Sequence, residues 1–256
     1  MVSGSHGIYT GFPTLPDSGS QIQFRLIREW LHNCDKCHKC QPQHYGNLPT
    51  RLIDVGDRTS QPFVRLECDT RCVNAKYFAL SHQWGAAGME PSFKTLSNNL
   101  GCFKESIDLY TLPRTFQDAV IVTRELGVRF LWIDSPCIIQ DSEEDWVAES
   151  AKMGHIFNSA YCTIAASRAN STAEGFLGPR QERTTVEIRR PENATFYVSE
   201  MIDDFRGDIE EGKLNRRGWV LQERALSRRT IYFGERQTYW ECGWGVRCET
   251  LSRIIK

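Results

Sequence analysis

Three short segments concentrate groups able to do chemistry. Ser81-His82-Gln83-Trp84-Gly85 sets a hydroxyl and an imidazole beside an indole and a glycine. Trp132-Ile133-Asp134-Ser135-Pro136-Cys137-Ile138-Ile139-Gln140-Asp141 brings together two carboxylates, a hydroxyl, a thiol and an amide. In Arg217-Gly218-Trp219-Val220-Leu221-Gln222-Glu223-Arg224, Trp219 and Glu223 stand at i and i+4, one face of a helix, with Gln222 beside them. A carboxylate next to an aromatic plate suits a flat ring held while an oxocarbenium ion develops, as in glycosidic bond cleavage. The same residues also have a structural reading, with Trp219 in the core and Glu223 paired to Arg217 or Arg224.

The cysteines offer two further chemistries. Cys34-x-x-Cys37-His38-x-Cys40, followed by His44, has ligand spacing for zinc, but no second matched pair follows, since Cys68 and Cys72 are distant and spaced differently. We therefore expect no resident metal or cofactor and read these as small residues on a helix over 21–33 and the turn after it. Zinc at Cys34, Cys37, His38 and Cys40 is kept as the alternative. Cys137 with His82 or His155 would make a thiol nucleophile and base, although Ile138 and Ile139 after it predict that Cys137 packs inward.

The elements that must position these groups follow from periodicity. Ile22, Leu26, Ile27, Trp30 and Leu31 recur at helical spacing. Segments 51–55 and 63–66 read as short peripheral strands. From Tyr77 onward strands and helices alternate: a strand over 77–81, a helix opened by Leu112-Pro113 and stopped by Gly127, a strand over 128–133 delivering Asp134, a helix over 143–158 with Trp146 among its apolar positions, and a strand over 161–166. That order predicts a mostly parallel α/β sheet with flanking helices. In such sheets ligands sit outside the carboxyl ends of the strands, which puts Ser81 and Asp134 on one rim. Segment 167–214 reads as an irregular insertion into a core over 77–242, and residues 1–20 as a flexible arm before a domain over 21–256. A short helix at 217–226 and two more strands complete the pattern.

Composition excludes several classes. Lys and Arg number 31 against 32 Asp and Glu, so no field of one sign draws the chain to nucleic acid or an anionic membrane. No apolar run approaches the roughly 20 residues of a membrane span. The first twenty residues lack the apolar stretch of a secretory signal, so the 10 cysteines read as reduced thiols in the cytoplasm. No phosphate-loop or dinucleotide glycine fingerprint is present.

Four blocks, Tyr77 to Gly85, Leu112-Pro-Arg-Thr-Phe-Gln-Asp-Ala119, Leu131 to Asp141 and Arg217 to Arg224, resemble in order and spacing the successive blocks of the fungal heterokaryon-incompatibility (HET) domain. The resemblance runs from about Trp30 to Cys242. It implies a role in non-self recognition, with growth arrest or cell death when unlike hyphae fuse. The family is in turn similar to TIR domains, which implies a flavodoxin-like fold and, in some members, hydrolysis of NAD. On that likeness Leu80 to Gly85 matches the first TIR strand and turn, Phe130 to Asp134 the second, Tyr161 to Ala166 the third, and Trp219-x-x-x-Glu223 the helix that carries the catalytic Glu. Pro136 stands where the family usually has Leu and His82 where it usually has Tyr.

Two functions are then open. In one, Glu223 and Asp134 are catalytic toward NAD or a related nucleotide as substrate, with Ser81, Trp84, Gly85, Trp132, Ser135, Gln140, Asp141, Arg217, Trp219 and Gln222 binding it. In the other, the same surface is a non-enzymatic module for self-association or for contact with another signalling protein.

Overall fold

The computed structural model describes residues 15–38, 40, 48–57, 59, 62–70, 75–85, 93–181, 184–189, 195–200, 202–216, 218–250 and 253–254. The chain enters through β1 (Asp17–Ser18) and α1 (Gln21–Asn33). Ser20 caps α1 by accepting from the Gln23 N–H at 3.3 Å, satisfying one orphan donor of the first turn. Phe24, Ile27, Trp30 and Leu31 bury the apolar stripe, and α1 runs on into a π-helical turn at Cys34–His38. β2 (Leu52–Asp54) and β3 (Phe63–Glu67) form an antiparallel pair.

Tyr77-Phe-Ala-Leu-Ser has no polar face, which suits a strand covered on both sides. It forms β4 (Tyr77–Ser81), with every residue buried. After α2 (Leu100–Glu105) and β5 (Ile107–Asp108) comes α3 (Arg114–Glu125), entered from Pro113 and ended by Gly127 at φ 72°, a left-handed conformation that favours glycine. Then follow β6 (Phe130–Trp132), the single turn α4 (Asp134–Cys137), α5 (Glu143–Ser150), α6 (Met153–Ser159) and β7 (Cys162–Ala165). Beyond β7 lie β8 (Gly178–Pro179), β9 (Thr185–Arg189), β10 (Thr195–Ser199), α7 (Gly218–Leu226), β11 (Arg229–Phe233), β12 (Thr238–Cys242), β13 (Gly245–Cys248) and β14 (Arg253–Ile254).

Ten of these strands form one sheet, in the order β14-β13-β12-β11-β7-β4-β6-β2-β3-β5. Its centre, β6-β4-β7-β11, is parallel, and both flanks are antiparallel. The molecule is therefore a mixed α/β fold, and the expectation of a mostly parallel sheet holds only for the four central strands. β11 to β14 are linked by short reversals, which favour antiparallel neighbours, whereas β2 and β5 reach β6 and β3 across long stretches of chain.

Four expectations change in detail. The helix over 143–158 is two helices, α5 and α6, and Trp146 is 46% exposed. Segment 167–214 is not wholly irregular: it contains the exposed hairpin β9–β10, and Phe205, Ile209 and Leu214 pack with Val220, Tyr232 and Tyr239 into a second core cluster. The strands at 52–54 and 63–67 are built into the main sheet. Of the arm, residues 1–14 lie outside the described residues, while Asp17 and Ser18 pair with Pro179 and Gly178 and the Pro16 carbonyl accepts from the Arg180 N–H at 2.9 Å.

Candidate functional site

Strand register sets the site. Ala79 lies opposite Trp132, so Ser81, two residues further along, reaches the level of Asp134. Ser81 itself lies opposite Ala165, and Ala165 opposite Tyr232. Asp134, Ser81, Ala165 and Tyr232 thus stand in one row at the carboxyl ends of the parallel strands. Counted along the chain, the order β6-β4-β7-β11 is second, first, third, fourth, and it reverses between β4 and β7. Crossovers leaving two such neighbours diverge, and a crevice opens between them where ligands bind in open α/β sheets.

A crevice is present at that place. Ser81, Thr163 and Ala165 line it from β4 and β7, Tyr232 from β11, and Val220 and Arg224 from α7. Its volume is about 10 Å³, room for about one water, whereas a pocket for a nucleotide-sized ligand spans roughly 300–1,000 Å³. Arg224 donates to Glu210 Oε1 at 2.9 Å and to Glu241 Oε2 at 3.3 Å, and the Tyr232 hydroxyl donates to the same Glu241 oxygen at 2.5 Å. Burial alone would lower the Arg224 pKa, but Tyr232 and the two carboxylates hold it above its usual range. Burial first, and Glu241 second, push the Tyr232 hydroxyl up. The crevice wall is thus a fixed ion network.

Glu223 is half-buried on α7, with Oε2 shielded from solvent. Its backbone carbonyl accepts from the Ser227 hydroxyl at 2.7 Å, and that hydroxyl meets Thr163 Oγ1 at 2.7 Å. The end of α7 is in this way tied to β7. Among the described side chains of α7, Val220 and Arg224 line the crevice with Ser81, and Glu223 stands one residue round the helix from Arg224.

On the other side of Ser81, the Trp84 indole donates to Asp134 Oδ2 at 2.9 Å. Asp134 Oδ1 accepts from the Ser135 N–H at 2.7 Å and lies 3.9 Å from His82 Nε2. The buried His82 ring packs edge-on to Phe116, centroids 5.1 Å apart. Gly85 follows at φ 142°, where a side chain would strain the backbone.

The family model described as heterokaryon incompatibility protein (HET) matches residues 77–223, more than half of the chain. This chain belongs to that family. The match runs from the first residue of β4 to Glu223, so it takes in the first two segments and the third as far as Glu223, and it supports a heterokaryon-incompatibility role. No curated protein and no solved structure matches the chain.

Within the HET domain the expected site residues separate. Ser81, Trp84, Gly85 and Asp134 share the rim. Trp132 does not: it is buried in the core, edge-on to Phe157 at 5.7 Å, because an inward position on a central strand faces the helices. Ser135 is fully buried. Gln140 Nε2 donates to the Ile138 carbonyl at 3.1 Å, and Asp141 Oδ1 accepts from the Ser97 N–H and hydroxyl at 2.8 and 3.1 Å. Gln140 braces the loop internally, and Asp141 holds it against segment 95–99, where Thr95 bridges Ile139. Arg217 and the side chains of Trp219 and Gln222 lie outside the described residues. Trp219 and Glu223 are both within α7, four positions apart.

Arg224, Tyr232 and Glu241 join the site beyond the residues expected from the sequence. Arg224 was present in the HET-like block, but Tyr232 and Glu241 come from an antiparallel pair whose side chains carry no sequence motif. Cys137 is buried, and burial pushes its thiol up to about 12, while His155 is exposed and meets Ser159. A Cys137 nucleophile is excluded on these grounds. Of the proposed zinc ligands, Cys37 is exposed, whereas Cys34 and Cys40 meet Cys242. His44 lies outside the described residues. No helix among the described residues is long and apolar enough to cross a membrane.

Proposed function

We propose that this HET domain acts in the cytoplasm in non-self recognition and triggers growth arrest or cell death by cleaving NAD or a related nucleotide. The observation that carries this reading is the crevice at the reversal of strand order, where Ser81 meets α7. The strand order of the parallel core is that of flavodoxin-like sheets, which supports the TIR-like reading. Glu223 is the catalytic carboxylate in this scheme. It stabilises the oxocarbenium ion as the bond between ribose and nicotinamide breaks; water then adds to that carbon and releases a proton, giving ADP-ribose and nicotinamide. Asp134 and Ser81 orient the sugar and phosphate. A crevice with room for one water, lined from α7 by Val220 and Arg224, requires α7 to move outward and turn before a substrate there meets Glu223.

Purified protein incubated with NAD is expected to release nicotinamide, and Glu223→Gln to lower the rate by about 100-fold or more. Absence of nicotinamide release from the unaltered chain overturns the enzymatic step. The small crevice favours a second reading, in which the rim is an assembly surface for a second copy or a signalling partner. Undiminished cell death in hyphae expressing Glu223→Gln supports that reading over the first.

A further inference from the structure

The sequence separates Cys34 and Cys40 from Cys242 by about two hundred residues, yet the fold brings their three sulfurs within 4.8 Å of one another. Cys34 ends α1, Cys40 follows the π-helical turn, and Cys242 is the last residue of β12. A fourth donor is adjacent: His38 Nδ1 lies 3.5 Å from Cys242 Sγ, and its ring is held stacked on Trp244 at 5.0 Å between centroids.

We propose that Cys34, Cys40, Cys242 and His38 bind one zinc ion as a structural site. Tetrahedral coordination at about 2.3 Å to sulfur and 2.0 Å to nitrogen places sulfurs about 3.8 Å apart and nitrogen about 3.6 Å from sulfur. The His38–Cys242 separation already fits, the sulfurs need to close by an ångström or less, and the His38 ring, farther than 4.8 Å from Cys34 or Cys40, must turn toward them. Three thiols and one imidazole make a closed ligand set of the structural kind, with no position left for water. The thiols lose their protons on binding. Cys37 is not a ligand, because the π-helical turn leaves it exposed. Its place in the sequence motif is taken by Cys242. Bound there, the metal joins the end of α1 to the β12–β13 turn, and part of the folding free energy becomes metal-dependent.

The test uses the full chain, purified under reducing conditions without chelator. Elemental analysis is expected to give about one zinc per chain, and replacement by cobalt(II) to give the thiolate charge-transfer and d–d absorption of a tetrahedral site. Cys242→Ser and Cys40→Ser are expected to lose stoichiometric zinc, Cys37→Ser to retain it, and chelator to lower the thermal midpoint of the unaltered chain but not of Cys242→Ser. Should Cys242→Ser fail to fold, the cobalt spectrum of the unaltered chain decides. The proposal is overturned by a chain that folds without metal and gives no tetrahedral cobalt spectrum, by a mass two hydrogen atoms lower from a Cys34–Cys242 disulfide, or by loss of zinc from Cys37→Ser.

Discussion

Asp54 shows how a single buried carboxylate is made tolerable. Arg129 grips it with two hydrogen bonds of 2.8 Å, Arg65 adds a third donor at 3.3 Å and the Gly56 N–H a fourth at 3.1 Å. Burial alone would raise its pKa, but Arg129, Gly56 and Arg65 together hold it below the usual carboxylate range. A depressed folded pKa contributes stability above the unfolded value near 4, and that contribution is lost as pH falls through the folded value. Asp54→Asn is therefore expected to cost about 1–3 kcal/mol at pH 7, with its difference from the unaltered chain shrinking below about pH 4; urea melts across that range read it. A second residue-scale outcome concerns thiols. Iodoacetamide on the native chain should label exposed Cys37 and Cys102 and spare Cys137, whose thiol is buried and pushed up to about 12; peptide mass spectrometry distinguishes them. At this scale the sequence revealed residue types but not their duties. Asp134 and Asp141 look alike in the motif, yet one faces the rim and the other ties a loop to Ser97.

Elements were legible where one face or both had to be apolar. β4, β6, β7 and α3 stand within a residue or two of their expected places, because a strand buried on both faces reads as a continuous apolar run and an amphipathic helix imposes a period of 3.6 on the chain. The hairpin β9–β10 was missed because both its faces are exposed and no burial pattern marks it. The break between α5 and α6 falls at Ala151-Lys152, and its one mark in the sequence is Gly154, two residues on. One loop is fixed by an element rather than by its own residues: Asp118 on α3 accepts from the Phe176 and Leu177 N–H groups at 2.7 and 2.9 Å. Gly175 stands beside it at φ 75°, and a Cβ there would lie 2.6 Å from Asp118 Oδ2 and from Arg114 Cγ. Gly175→Ala is expected to cost about 1–3 kcal/mol, measured as a lower denaturation midpoint, through loss of the loop's seat on α3.

Across the whole molecule, the least legible feature is a polar cluster joining distant parts of the chain. Arg180 donates to Glu249 at 2.6 and 3.0 Å and to Thr238 at 2.9 Å, and Gln23 Nε2 donates to Glu249 at 2.6 Å and Thr238 at 2.8 Å. Both charged side chains are almost fully buried, 2% and 0% exposed. No spacing rule relates positions 23, 180 and 249, so only the fold discloses them. Removing one charge leaves the other desolvated and alone. Glu249→Leu is expected to cost about 3–5 kcal/mol, and Arg180→Met combined with Glu249→Leu to cost less than Glu249→Leu alone; chemical denaturation of the two variants checks the order.

The same cluster bears on how the chain is made. Gln23 and Glu249 are 226 positions apart, and translation at about 5–20 residues per second separates their emergence by about 10–45 s. During that interval α1 has an apolar stripe and no β12 to receive it, so the nascent chain presents Phe24, Ile27 and Trp30 to whatever chaperone is near. Completion of the fold waits until β12 and Glu249 have emerged, and its rate is set by the slow search for contacts of high sequence separation.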